Sequence, residues 1–94
     1  MQQNTLNVSQ NHDILLINNN SDRKIMIKSI AVHYYVSTFF GERRSSSTIK
    51  DEKEINRELE ANEKLDIKLI IPDVQMVSIT YIIDGRTFTD NIEL

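Results

Sequence analysis

The chain is predicted to be all-β, a small antiparallel β-sandwich of six to seven strands. Three observations predict it. The apolar set is dominated by β-branched residues, with 14 Ile and 5 Val against 7 Leu and 2 Ala. Such side chains lose rotamer freedom in a helix and pack well on a pleated sheet, whereas Ala is the best helix former. Apolar residues also recur at period two through most of the 94 residues. Clusters of turn formers then cut these runs into short pieces. Ile enrichment also arises from AT-rich coding, so the periodicity decides.

Taken in order, residues 1–12 are polar with only Leu6 and Val8 alternating, which fits a flexible tail or a short edge strand. Residues 13–94 form the single sandwich domain, since a chain of this length builds one core. Asp13–Asn18 is a short apolar run followed by Asn19-Asn20-Ser21-Asp22, which reads as a buried strand and a hairpin loop. From Lys24 to Phe40 the chain is rich in β formers. Ile30, Val32, Tyr34, Val36 and Phe40 share the more apolar face and are expected inside. Ala31, His33, Tyr35, Ser37 and Phe39 share the other. The face set by Ile25 and Ile27 changes near Lys28-Ser29, so a β-bulge is expected there.

Residues 41–47 (GERRSSS) read as a polar loop. Residues 48–60 are ambiguous. Ile55 and Leu59 are four apart, as on a helix, yet they also fit period two through Arg57. A strand is predicted, with a short helical turn as the alternative. Leu65, Ile67, Leu69 and Ile71 alternate up to Pro72-Asp73. Val77, Ile79, Tyr81 and Ile83 alternate up to Asp84-Gly85, the strongest hairpin signal in the chain. A two-residue type I′ loop there pairs Ile83 with Arg86, Tyr81 with Phe88 and Val77 with Ile92. The runs IMIKSIAVHYY, EANEKLDIKLIIP and VSITYIIDGRTF resemble an immunoglobulin-like or fibronectin-like sandwich in architecture. With no cysteine and no tryptophan, the antibody-type core is excluded.

Composition narrows function mostly by exclusion. The formal net charge is −3, which gives no positive field for nucleic acid or anionic lipid. Arg23, Lys24, Arg43 and Arg44 are too dispersed for a nucleic-acid footprint. No apolar run approaches the roughly 18–20 residues that span a bilayer, and no leader-like segment opens the chain, so a cytoplasmic protein is expected. The absence of cysteine removes thiol catalysis and the common zinc sites.

His12-Asp13 and His33 are too few and too far apart for a metal, and Ser45-Ser46-Ser47 has no base nearby. The carboxylates of residues 51–63 are interleaved with Lys and Arg, a self-compensated charged face rather than a catalytic pair. Neither an enzyme nor a cofactor is predicted.

What is left is recognition of another protein. Half-polar aromatic side chains suit interface cores. The expected contact residues are therefore His33, Tyr35 and Phe39, helped by Arg43 and Arg44 and by the carboxylates of Glu52, Glu54 and Glu58. A small acidic domain of this kind suits a phage or mobile-element inhibitor or adaptor that occludes a site on a larger protein. The alternative is a structural subunit that assembles into a homo-oligomer through an edge strand or the aromatic face.

Overall fold

The computed structural model describes residues 5–40 and 43–94, with the side chains of 38–40 and 43–46 left out of the description. Seven strands follow one another: β1 (Leu6–Asn11), β2 (Ile14–Asn19), β3 (Ile25–Phe40), β4 (Arg43–Leu59), β5 (Lys64–Lys68), β6 (Val74–Ile83) and β7 (Arg86–Glu93). One sheet has the order β1-β2-β5 and the other β4-β3-β6-β7, with every pairing antiparallel. The fold is thus the small all-β sandwich that the alternation predicts.

The core lies between the sheets. Leu15, Ile17, Leu65 and Ile67 from the three-stranded sheet meet Ile25, Ile27, Ile30, Val32, Val77 and Ile79 from the other. Each sheet buries one side of its pleat, which is why the period-two signal was so clear. Residues 6–11 form an edge strand rather than a tail, because Leu6 reaches the core and Val8 packs against its margin. β1 and β2 are joined at His12-Asp13, with His12 in the left-handed region (φ 56).

The Asn/Ser/Asp cluster after β2 does not close a hairpin. β2 and β3 belong to different sheets, so this connection crosses the sandwich. The cluster carries a specific anchor instead. Asn19 is fully buried, and its Nδ2 donates to the carbonyls of Arg23 (2.7 Å), Leu59 (3.0 Å) and Glu60 (3.1 Å). Its Oδ1 accepts from the N–H and Oγ of Ser21 at 3.1 and 2.6 Å. This side chain thereby joins the crossing from β2 to β3 with the return crossing from β4 to β5, beside two backbone bonds, from the Asn19 N–H to the Glu63 carbonyl (3.0 Å) and from the Asn62 N–H to the Asn19 carbonyl (2.8 Å).

Residues 48–59 belong to β4, so the 48–60 segment is strand up to Leu59 and holds no helical turn. Inward-facing Ile55 and Leu59 pack on the core while residues between them face water, as expected of an edge strand. The polar segment after β3 is shorter than the GERRSSS loop, since β4 already begins at Arg43. Gly41, expected to end the strand, lies outside the described residues. β5 stops at Lys68, short of Ile71, but Leu69 still fills the core and its N–H donates to the Asp13 carbonyl at 2.7 Å.

The expected bulge is present, and it is compound. Moving from Tyr81 to Thr80 on β6 takes one step, from Ile27 to Ser29 on β3 two, and from Arg57 to Glu54 on β4 three. Each strand outward thus carries one more residue than its neighbour, which bends the sheet and sharpens its twist. Asn56 supplies part of the excess in the left-handed region (φ 49), a conformation Asn tolerates better than most residues. The β6–β7 hairpin has the predicted register, including Tyr81 opposite Phe88 and Val77 opposite Ile92. Asp84 (φ 52) and Gly85 (φ 75) both have positive φ, as a type I′ turn demands.

Candidate interaction face

The register between β3 and β4 decides which side chains share a surface. Met26 lies opposite Glu58, Ser29 opposite Glu54, Ala31 opposite Glu52 and His33 opposite Lys50. All these positions fall on the side of the four-stranded sheet turned away from the core. His33, Tyr35, Glu52, Glu54 and Glu58 therefore share one face, as does the exposed row Thr87, Thr89 and Asn91 on β7. The bulge is what makes this possible. It moves β3 by one residue, so that both Lys28 and Ser29 leave the core side before Ile30 returns to it.

Among the described residues, Tyr35 is the most open aromatic of this face, 49% exposed. It stands where β6 ceases to accompany β3, and its N–H donates to the Asp73 carbonyl at 3.0 Å. His33 is half-buried between its neighbours Lys50 on β4 and Met76 on β6. Ala31, expected outward, is on this face but only 9% exposed, because flanking longer side chains cover a methyl. Inside, Ile30, Val32 and Tyr34 are buried as expected. Val36 is only half-buried, since it lies past the end of the sandwich. The side chains of Phe39, Phe40, Arg43 and Arg44 lie outside the described residues; the backbone pairs Phe39 with Arg44.

The three carboxylates differ in how far they are already engaged. Lys24 reaches Glu58 at 3.4 Å and Glu60 at 3.6 Å, and Lys50 reaches Glu52 at 3.4 Å. The Glu58 carboxylate holds the Lys24 ammonium above its ordinary 10.5, with Glu60 adding to the effect. These pairs are exposed, so each contributes little to stability and leaves its groups free to exchange partners. Glu54 has no ion pair among the described residues. It lines an open depression of about 500 Å³ over the bulge, with Lys28, Ser29, Asn56, Thr80, Ile82 and Thr87. Sequence reading missed this depression. Its one signal was an Asn set among the charges of the 51–60 segment, where a bulge favours that residue type.

The β6–β7 half of the face is polar and internally satisfied. Thr80 and Thr89 share a hydrogen bond of 3.1 Å, and Ser78 Oγ donates to Asn91 Oδ1 at 2.7 Å. The basic cluster weighed for nucleic acid is also self-compensated in part, with Arg23 bonded to Asp84 and Lys24 to its two glutamates. Among the described residues no three His, Asp or Glu gather as a metal-binding group, and no helix is long and apolar enough to cross a membrane. Comparison with protein-family models, curated proteins and solved structures finds no match to this chain.

Proposed function

We propose that this chain is a small non-enzymatic module that binds another protein through the outer face of its four-stranded sheet. The observation that supports it most is the β3–β4 register, which gathers His33, Tyr35, Glu52, Glu54 and Glu58 on a face that no other element covers among the described residues. An aromatic with a polar tip supplies contact area at low entropic cost, and the carboxylates steer a basic partner toward it. Occlusion of a site on a larger protein, in the manner of a phage-borne inhibitor or adaptor, suits a domain of this size with no catalytic set. A reducing compartment such as the cytoplasm suits a chain without cysteine.

The strand order supports an immunoglobulin-like reading of the sandwich. Relative to the constant-type arrangement, in which the fourth strand pairs with the fifth, β4 here pairs with β3. That switch is what places the acidic strand beside His33 and Tyr35.

The test compares tagged wild type with Tyr35→Ala, Glu54→Lys and a control, Ile70→Ser, which is 67% exposed and outside this face. Proteins captured from host lysate by wild type and control should be lost or depleted with both face variants, at unchanged melting temperature. A captured set that ignores both face variants would refute the assignment.

A further inference from the structure

The two longest strands outrun the sandwich. β6 accompanies β3 only as far as Tyr34, opposite Val74, and the Tyr35–Asp73 bond is the last tie on that side. From Val36, opposite Ser47, to Phe40, opposite Arg43, β3 and β4 continue as a two-stranded ribbon. This extension contributes to a long axis of 53 Å against 28 and 23 Å for the others. Two strands alone are marginally stable in water, and a third or fourth is what makes such a ribbon persist.

The two edges of the ribbon differ in kind. The β4 edge carries Arg43 and Arg44 near the tip, then the charged run Lys50–Glu54 and the bulge at Asn56. Charge and bulges are the devices that keep an edge from pairing. The β3 edge, Val36-Ser37-Thr38-Phe39-Phe40, has no charge, no proline and no bulge, and it is rich in strong β formers. Ladder groups alternate along a strand, so with the Tyr35 N–H pointing to the β6 side, those of Ser37 and Phe39 point the same way. Among the described residues nothing pairs with them.

We infer that this edge of β3 pairs with the same edge of a second copy of the chain, antiparallel about a two-fold axis at Thr38. Centring on Thr38 sets Ser37 opposite Phe39 of the other copy, and these are the two residues whose ladder groups are free. Each Ser37–Phe39 pair exchanges two N–H···O bonds, four in all. Val36 falls opposite Phe40, a favourable β-branched–aromatic pair, and Thr38 opposes Thr38. A centre at Ser37 would instead demand the Tyr35 N–H, which Asp73 already occupies. The outcome is a continuous β4-β3-β3-β4 sheet with a closed, isologous interface. This surface is separate from the outer face that holds the partner site, so either can fail without the other.

Light scattering across about 1–100 μM protein reads the assembly directly. Wild type should rise to twice the 10.9 kDa chain mass. Thr38→Lys and Thr38→Glu should each stay at the single-chain mass, because they place like charges opposite one another, and an equimolar mixture of the two should regain the doubled mass. A second measurement does not rely on those variants. Thr38–Thr38 is a non-hydrogen-bonded pair with Cα atoms about 4.5 Å apart, within disulfide reach. In a chain without cysteine, Thr38→Cys should oxidise to a covalent dimer, while Ser46→Cys on β4 should not. A wild type that stays at the single-chain mass throughout would overturn the inference. So would charge variants that still dimerise, or Ser46→Cys cross-linking as fast as Thr38→Cys.

Discussion

Replacing Asn19 by Leu tests how the two sheets are held in register at one end. The substitution keeps a similar volume in a fully buried position but removes every side-chain hydrogen bond Asn19 makes. The carbonyls of Arg23, Leu59 and Glu60 each lose the Asn19 donor, although Arg23 keeps Ser21 Oγ and Glu60 keeps the Glu63 N–H, and Ser21 loses its acceptor. The Leu59 carbonyl is bonded in a buried setting, so its loss costs about 1–3 kcal/mol, the penalty for an unmet buried acceptor. The others border solvent and recover water, at about 0.5–1 kcal/mol each. The five bonds together are worth about 3–7 kcal/mol. At roughly 4–8 °C per kcal/mol for a domain of this size, the melting temperature should fall by about 12 °C or more.

Asn19→Asp should be at least as damaging near neutral pH, because it turns a carboxylate oxygen toward the same carbonyls. Asn20→Ala is the control, its side chain being exposed, and should stay within about 0.5 kcal/mol of wild type. Urea denaturation followed by circular dichroism measures all three. If Asn19→Leu lost less than about 1 kcal/mol, or Asn20→Ala lost as much as Asn19→Leu, the bond network would not be what joins the two crossings.

Gly85→Val should cost about 1–2 kcal/mol, entirely through backbone strain at φ 75, since a Cβ there meets nothing within 4 Å; a neutral result in denaturation would argue against the type I′ turn. Asn56→Gly should be close to neutral and Asn56→Val destabilising by about 1–2 kcal/mol, because the bulge needs a left-handed residue; equal stabilities would count against the bulge geometry. Burial first, and then the hydrogen bond from its hydroxyl to Asp90, raise Tyr81 above its ordinary 10.0. Folded protein then retains a proton that the unfolded chain releases, so this contribution is complete below about pH 10 and is lost as pH climbs through the raised folded value. Stability measured from pH 8 to 11 should fall less steeply for Tyr81→Phe than for wild type, and parallel curves would refute the linkage.

Much of this fold was legible because its signals are local. Asp84-Gly85 sets a turn whose geometry fixes every pair up to Val77–Ile92, and the face change at Lys28-Ser29 needs only the alternation on either side of it. Which strands share a sheet was not legible after β2. Asn, Ser and Asp serve equally in a tight hairpin and in a crossing, and the difference lies in partners 40 positions away, as with Asn19 and Leu59. The 48–60 segment was ambiguous for a related reason. Glu, Lys and Arg are good helix formers, but on an edge strand they are equally what keeps it soluble and unpaired. For the contact face, the aromatic set on β3 followed from alternation, whereas its alignment with Glu52, Glu54 and Glu58 depends on a second strand and on a bulge that no local pattern sizes.

That alignment is where the fold and the proposed contact face meet, and a slip of one residue would send the whole acidic set to the other side of the sheet. Cross-strand nuclear Overhauser contacts in isotope-labelled protein read it residue by residue. The predicted spectrum has backbone contacts between Ala31 and Glu52 and between Ser29 and Glu54, with Ile27 paired to Arg57 across the bulge. Contacts pairing Ala31 with Asp51 or Lys53 instead would place Glu52 and Glu54 on the core side, away from His33 and Tyr35, and would contradict the site as drawn.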